Sequence, residues 1–145
     1  MSIEPYVYPP MDQEERARRL EEHRATLACR DGMEEIIRRG FDGYCLDSGC
    51  ARKAIEEFGI QRVELVLAAT IQRRSWDGRF SRQVREWASA CDIPPGELDR
   101  GYTLNAHSVV VNGFARQYLR TVEEMAREAI EEVEEQEQSF PEMTL

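Results

Sequence analysis

The chain has 145 residues, a formal net charge of −9 and a pI near 4.8. That balance excludes a polyanion-binding surface over the whole molecule, because phosphate binding rests on clustered Lys and Arg. The length suits one domain that buries about two-thirds of its unfolded surface, and no apolar run reaches the ~18–20 residues of a membrane span.

Residues 1–10 hold three prolines and two tyrosines and are expected to be extended. The start "MSIEPYVYPPMDQEERARR" lacks an apolar stretch behind a basic end, so no signal peptide is expected and a cytoplasmic location follows by default. Asp12 is placed to cap a first helix with Glu14 and Glu15 in its first turn, running to about Arg30 with Ala17, Leu20, Leu27 and Ala28 inward. Gly32 in "RDG" is expected to end it, and a short helix from Met33 to Arg39 then stops at Gly40. "FDGYCLDSGC" is turn-rich, and Ser48 is expected to cap a helix over "CARKAIEEF" with Cys50, Ala51, Ala54, Ile55 and Phe58 as its apolar stripe.

"IQRVELVLAATIQRR" is apolar around most of a helical circumference, which marks the central helix. The β-branched content of "VELVLAAT" would suit a strand, but the length and the two alanines favour a helix. Asp77-Gly78 signals a turn, and Ser81 an N-cap for a helix that carries Val84, Trp87, Ala88 and Cys91 at i, i+3, i+4 and i+7. Trp87 therefore points inward. "CDIPPGELDRGYTLNAHS" is a loop with at most one helical turn at Pro95 to Leu98. A long helix follows over about 106–137, with Val111, Ala115, Tyr118, Val122, Met125 and Ala129 at alternating spacings of three and four, a coiled-coil-like seam. Its far end is dominated by glutamate and is expected to project, before a flexible tail over 138–145. The expected fold is all-α: five or six helices of a single domain over 11–137, packed around the Ile60–Arg74 helix, with the acidic C-terminal helix longest.

Two charged constellations stand out. Arg73, Arg74, Arg79, Arg82 and Arg85, with Asp77 and Glu86 among them, leave a local excess of about three positive charges at a helix–turn–helix elbow that also carries Trp76 and Phe80. Such a strip can grip phosphates and stack on bases, or it can be the solvated outside of a structural bend. On the C-terminal helix, Glu124, Glu128, Glu131, Glu132 and Glu135 belong to a run of carboxylates that can imitate a nucleic-acid backbone against a basic protein groove, or simply keep an exposed helix solvated. The apolar seam leaves a homodimer through this helix open.

Catalytic patterns are poor: no nucleophile elbow, phosphate loop, dinucleotide fingerprint or HExxH occurs. His23 and His107 are candidate general bases, each with a structural reading that weighs more. Cys45 and Cys50 stand at CxxxxC spacing, and the histidines could join them in space. Without a CxxC pair, though, Cys29, Cys45, Cys50 and Cys91 are expected to be reduced packing thiols, with no metal and no cofactor.

"VELVLAATIQRRSWDGRFSRQVREWA", followed by "NAHSVVVNGF", resembles an uncharacterised domain family of phages, plasmids and conjugative elements of gut Firmicutes. The matching features are Val66 to Gln72, Asp77 to Ser81, Trp87-Ala88, and His107 with Asn112-Gly113-Phe114, within a span of about 44–118. Val84 and Ser108 depart from the pattern, which has Asn and Pro there. The resemblance supplies no activity. It implies a mobile genetic element and, by analogy, a non-enzymatic inhibitor of host defence of the anti-CRISPR type, acting on a Cas nuclease. The alternative is a nucleic-acid-binding accessory domain that works through the Arg73–Arg85 elbow.

Overall fold

The structure is a computed structural model that describes residues 12–93 and 101–139. It contains five helices: α1 (Gln13–Gly40), α2 (Cys50–Phe58), α3 (Ile60–Arg73), α4 (Arg82–Ala90) and α5 (Ser108–Ser139). No strand occurs among the described residues. The expected extended segment 1–10, the turn at Pro95–Leu98 and the end of the tail lie outside them.

α1 starts as its residues dictate, with Asp12 Oδ1 accepting from the Glu15 amide at 2.7 Å and Arg38 and Arg39 at the negative end of the dipole. The expected break at Gly32 does not occur. One glycine inside a helix costs only about 1 kcal/mol, and the buried row Cys29, Met33 and Ile37 runs straight through it at four-residue steps. Gly32 serves packing rather than capping: a Cβ at this position would run into the ring of Phe58. The inward face also starts later than expected. Ala17, Leu20 and Ala28 are exposed and Leu27 is half-buried, so burial begins with Thr26.

α2 buries Cys50, Ala51, Ala54 and Ile55, but Ser48 is not its cap. The cap position belongs to Gly49, and the helix's orphan amide at Ala51 finds Gln117 Oε1 of α5 at 3.3 Å. Gln117 Nε2 donates to Asp47 O at 2.8 Å, so one buried amide side chain fastens the 41–49 turn and the start of α2 to α5. α2 passes directly into α3 through Gly59, whose φ of +90° is a conformation that side-chain-bearing residues rarely adopt.

α3 is central: it packs against each of the other four helices. Val63, Val66, Leu67, Ala68, Ala69, Thr70 and Ile71 are all buried along it, and the alanines admit close approach by its neighbours. α5 joins the core through Val111, Phe114, Ala115 and Tyr118. Val122 and Met125 are half-buried, after which the seam runs out into solvent and Ala129 is exposed. α5 begins at Ser108 rather than Ala106 because His107 takes the position before the first turn, where its carbonyl accepts from the Val111 amide at 3.0 Å. At its other end the helix takes in Gln138 and Ser139, which sequence assigned to the tail.

Candidate functional site

The elbow between α3 and α4 is assembled from the residues that punctuate its sequence. Ser81 Oγ accepts from the Val84 amide at 3.3 Å and caps α4, while the Ser81 amide donates to Asn112 Oδ1 at 2.9 Å, tying the turn to α5. Gln72 Nε2 donates to the carbonyls of Ala88 and Cys91, at 2.7 and 3.0 Å, and closes the C-terminal end of α4. Phe80 is buried, and Trp87 lies half-buried against Tyr118 with ring centroids 5.3 Å apart. Asp77 is buried at the turn; it accepts from the Ser108 hydroxyl and from the Arg79 amide, which hold its carboxyl below the ordinary 3.8.

A folded-state value below the unfolded one means that the ionised Asp77 stabilises the fold above the unfolded value, and that the contribution disappears as pH falls through the folded one. Asp77→Asn lacks it at every pH. In urea titrations the wild type is expected to exceed the variant in stability above about pH 5, with the gap narrowing on acidification. A gap independent of pH would show that the carboxylate charge is immaterial there.

The five elbow arginines divide. Arg74 turns inward, donating to Ala106 O at 2.6 Å and Leu104 O at 2.8 Å. Arg85 donates to Asp77 O at 3.1 Å. Arg82 is exposed and pairs with Glu86 at 2.9 Å. Arg73 and Arg79 are exposed, and Trp76, 79 % exposed, is the elbow's one outward aromatic among the described residues. Arg79 lies 3.7 Å from Asp77 and holds Nη1 2.7 Å from His107 Nε2. His107 Nδ1 in turn sits 3.2 Å from the Val109 amide, as a cap on α5. A neutral imidazole has one acceptor nitrogen, so the Arg79 and Val109 donors compete for it.

His23 Nδ1 lies 2.6 Å from the hydroxyl of buried Tyr102, which fastens the segment after residue 100 to α1. The four cysteines are free thiols; burial raises Cys29 and Cys91 to about 12 and raises Cys50 as well. Among the described residues no group of three or more His, Cys, Asp or Glu is placed to hold a metal.

The acidic half of α5 stands apart from the body. Within 123–137 every residue except Met125 is exposed, including Glu124, Glu128, Glu131, Glu132 and Glu135. Eight glutamates against one arginine there carry −7 of the chain's −9. At the near end Arg52 of α2 reaches Glu124 at 3.6 Å and Glu128 at 3.3 Å. The elbow joins α5 near its start, through Asn112, and the carboxylate stretch begins eleven residues further on, about 16 Å along the helix. Sequence patterns pointed to both sets, but not to Arg52 or Gln117, whose partners lie more than sixty residues away.

Residues 9–123 match the family described as "Protein of unknown function (DUF3849)", and the chain belongs to that family. No curated protein and no solved structure matches the chain. The match takes in the packed body and the elbow and ends at Glu123, the first residue of the exposed glutamate segment, so the rest of that segment lies beyond it. No described helix is long and apolar enough to cross a membrane.

Proposed function

We propose that this member of the DUF3849 family is a non-enzymatic binding protein of a mobile genetic element. Its acidic C-terminal helix occupies a basic surface on a nucleic-acid-handling host protein, as an anti-CRISPR inhibitor would on a Cas nuclease. The reading is carried by one observation: a rod of about 22 Å, exposed over nearly its whole surface, holds eight glutamates and one arginine beyond the packed body. A carboxylate row of that kind attracts a basic groove at long range and competes there with phosphates. The elbow offers less to a nucleic acid than its composition promised, because the guanidinium groups of Arg74 and Arg85 are engaged with backbone carbonyls.

Tagged protein drawn from its bacterial host identifies the partner by mass spectrometry, and the affinity is then measured at two salt concentrations. Reversal of Glu128, Glu131, Glu132 and Glu135 to lysine is expected to weaken the complex at least about tenfold at low salt and less at high salt. Unchanged affinity at low salt would remove the rod from the contact. Binding of single- or double-stranded DNA or RNA by the isolated protein at about 50 mM salt, abolished by Arg79→Ala and Arg82→Ala, would favour the elbow instead.

A further inference from the structure

Beyond the last turn packed on the body, α5 keeps an apolar stripe. Met125, Ala129 and Val133 follow one another at four-residue steps and continue the face that Val111, Ala115 and Tyr118 bury in the core and half-buried Val122 extends. Ile130 widens the stripe. Ile130 and Val133 are 59 % and 54 % exposed, large apolar side chains in a segment otherwise built for water. Glu128 and Glu132 run along one edge of the stripe, and Glu134 and Glu137 along the other.

The chain itself shows what such a surface accepts. α2 is an amphipathic helix of nine residues that lies on α5 with Cys50, Ala51, Ala54 and Ile55 buried, while Arg52 reaches over the acidic edge to Glu124 and Glu128. Nine helical residues span only about 13 Å, and α5 runs on past them with the same pattern: apolar centre, carboxylate edges. A second copy of this helix is a poor occupant. At the 8–10 Å of a helix pair it would set one glutamate row against another, within about a Debye length at physiological salt.

We infer that the exposed half of α5 docks an amphipathic helix of the partner, whose apolar row lies on Met125, Ala129, Ile130 and Val133 and whose flanking lysines or arginines meet the glutamate edges. The inference rests on the proposed binding role of this segment and names the partner's contacting element.

The test uses the full chain and a labelled synthetic peptide of three heptads, with isoleucine and leucine on the seam and lysine and arginine beside it. A scrambled peptide of the same composition is the control. The patterned peptide is expected to bind about tenfold more tightly than the scrambled one, and Ile130→Gln with Val133→Gln to remove about that factor. Both substitutions are at exposed positions and keep good helix formers, so the fold is expected to stand. Sedimentation equilibrium of the chain alone is expected to give a monomer. Equal binding of the two peptides would overturn the docked helix, leaving charge alone as the attraction and the broader binding role intact. So would a homodimer that Ile130→Gln and Val133→Gln dissociate, or failure of both peptides to bind. The broader role falls only if the lysine reversals leave the natural complex unchanged.

Discussion

Alanine at position 74 is expected to lower the stability of the protein by about 3 kcal/mol, roughly 10 °C in melting temperature for a chain of this size. The guanidinium of Arg74 donates to Leu104 O and Ala106 O and lies 3.5 Å from Ser108 Oγ, so a single side chain holds the entry to α5 against the end of α3. Its neighbours hold the same segment: Thr70 Oγ1 accepts from the Leu104 amide at 2.9 Å, Glu34 Oε1 from the Asn105 amide at 2.8 Å, and Arg30 donates to Gly101 O. Truncation leaves two carbonyls without their charged donor, and each such bond contributes about 1.5–3 kcal/mol. Arg74→Lys keeps the charge but not the planar fork, and is expected to recover less than half of the loss. Thermal unfolding followed by circular dichroism measures both. A variant that melts with the wild type but no longer binds its partner would mean that Arg74 works at the surface after all.

That outcome separates what sequence patterns reveal from what they hide. Periodicity found the central helix because Val63, Val66, Leu67 and Ile71 are buried wherever their neighbours lie. Local capping chemistry found Asp12 and Ser81, because a cap and its target amide are three residues apart. The expected break at Gly32 was wrong because the reason for that glycine, the ring of Phe58, belongs to another helix. Ser48 failed as a cap for the same kind of reason: Gln117, distant in sequence, supplies the acceptor.

The two charged surfaces were legible to different degrees. The glutamate segment could be read from composition, since eight carboxylates within fifteen residues can only be carried in water. The arginines could not, because a guanidinium on a stripe's edge reads alike whether it faces solvent or folds back on a carbonyl. Arg73, Arg79, Arg82 and Arg85 are exposed, although Arg85 also donates to Asp77 O, whereas Arg74 turns inward onto two carbonyls. The residues behind the family resemblance turn out mostly to hold the elbow together: Gln72 closes α4, Asp77 holds the turn, Ser81 caps, and Asn112 anchors Ser81. Arg79 and His107 are the members of that set that meet at the surface. The family match covers them and the body, while the acidic segment after Glu123 lies past its end. A function shared across the family would therefore be sought near Arg79 and His107, and one beyond the matched region along the last four turns or so of α5.

Gln117→Ala is expected to cost about 2 kcal/mol, and Ser48→Ala less than about 0.5 kcal/mol. Local sequence alone ranks them the other way, since serine before a helix is a favoured cap whose loss costs about 1 kcal/mol, while a glutamine on a long helix looks expendable. In the structure Gln117 is 9 % exposed and uses both ends of its amide, accepting from Ala51 N and donating to Asp47 O. Its removal strands a buried amide and a carbonyl at once and frees the 41–49 turn from α5. Gln117→Glu keeps the acceptor for Ala51 but turns the donor into a second acceptor facing the Asp47 carbonyl, so it is expected to be at least as destabilising as alanine. Equilibrium urea unfolding monitored by tryptophan fluorescence resolves differences of this size. A larger loss for Ser48→Ala than for Gln117→Ala would mean that α2 is capped from within its own turn, and that the α2–α5 contact, on which Arg52 reaches the glutamate segment, is looser than its hydrogen bonds indicate.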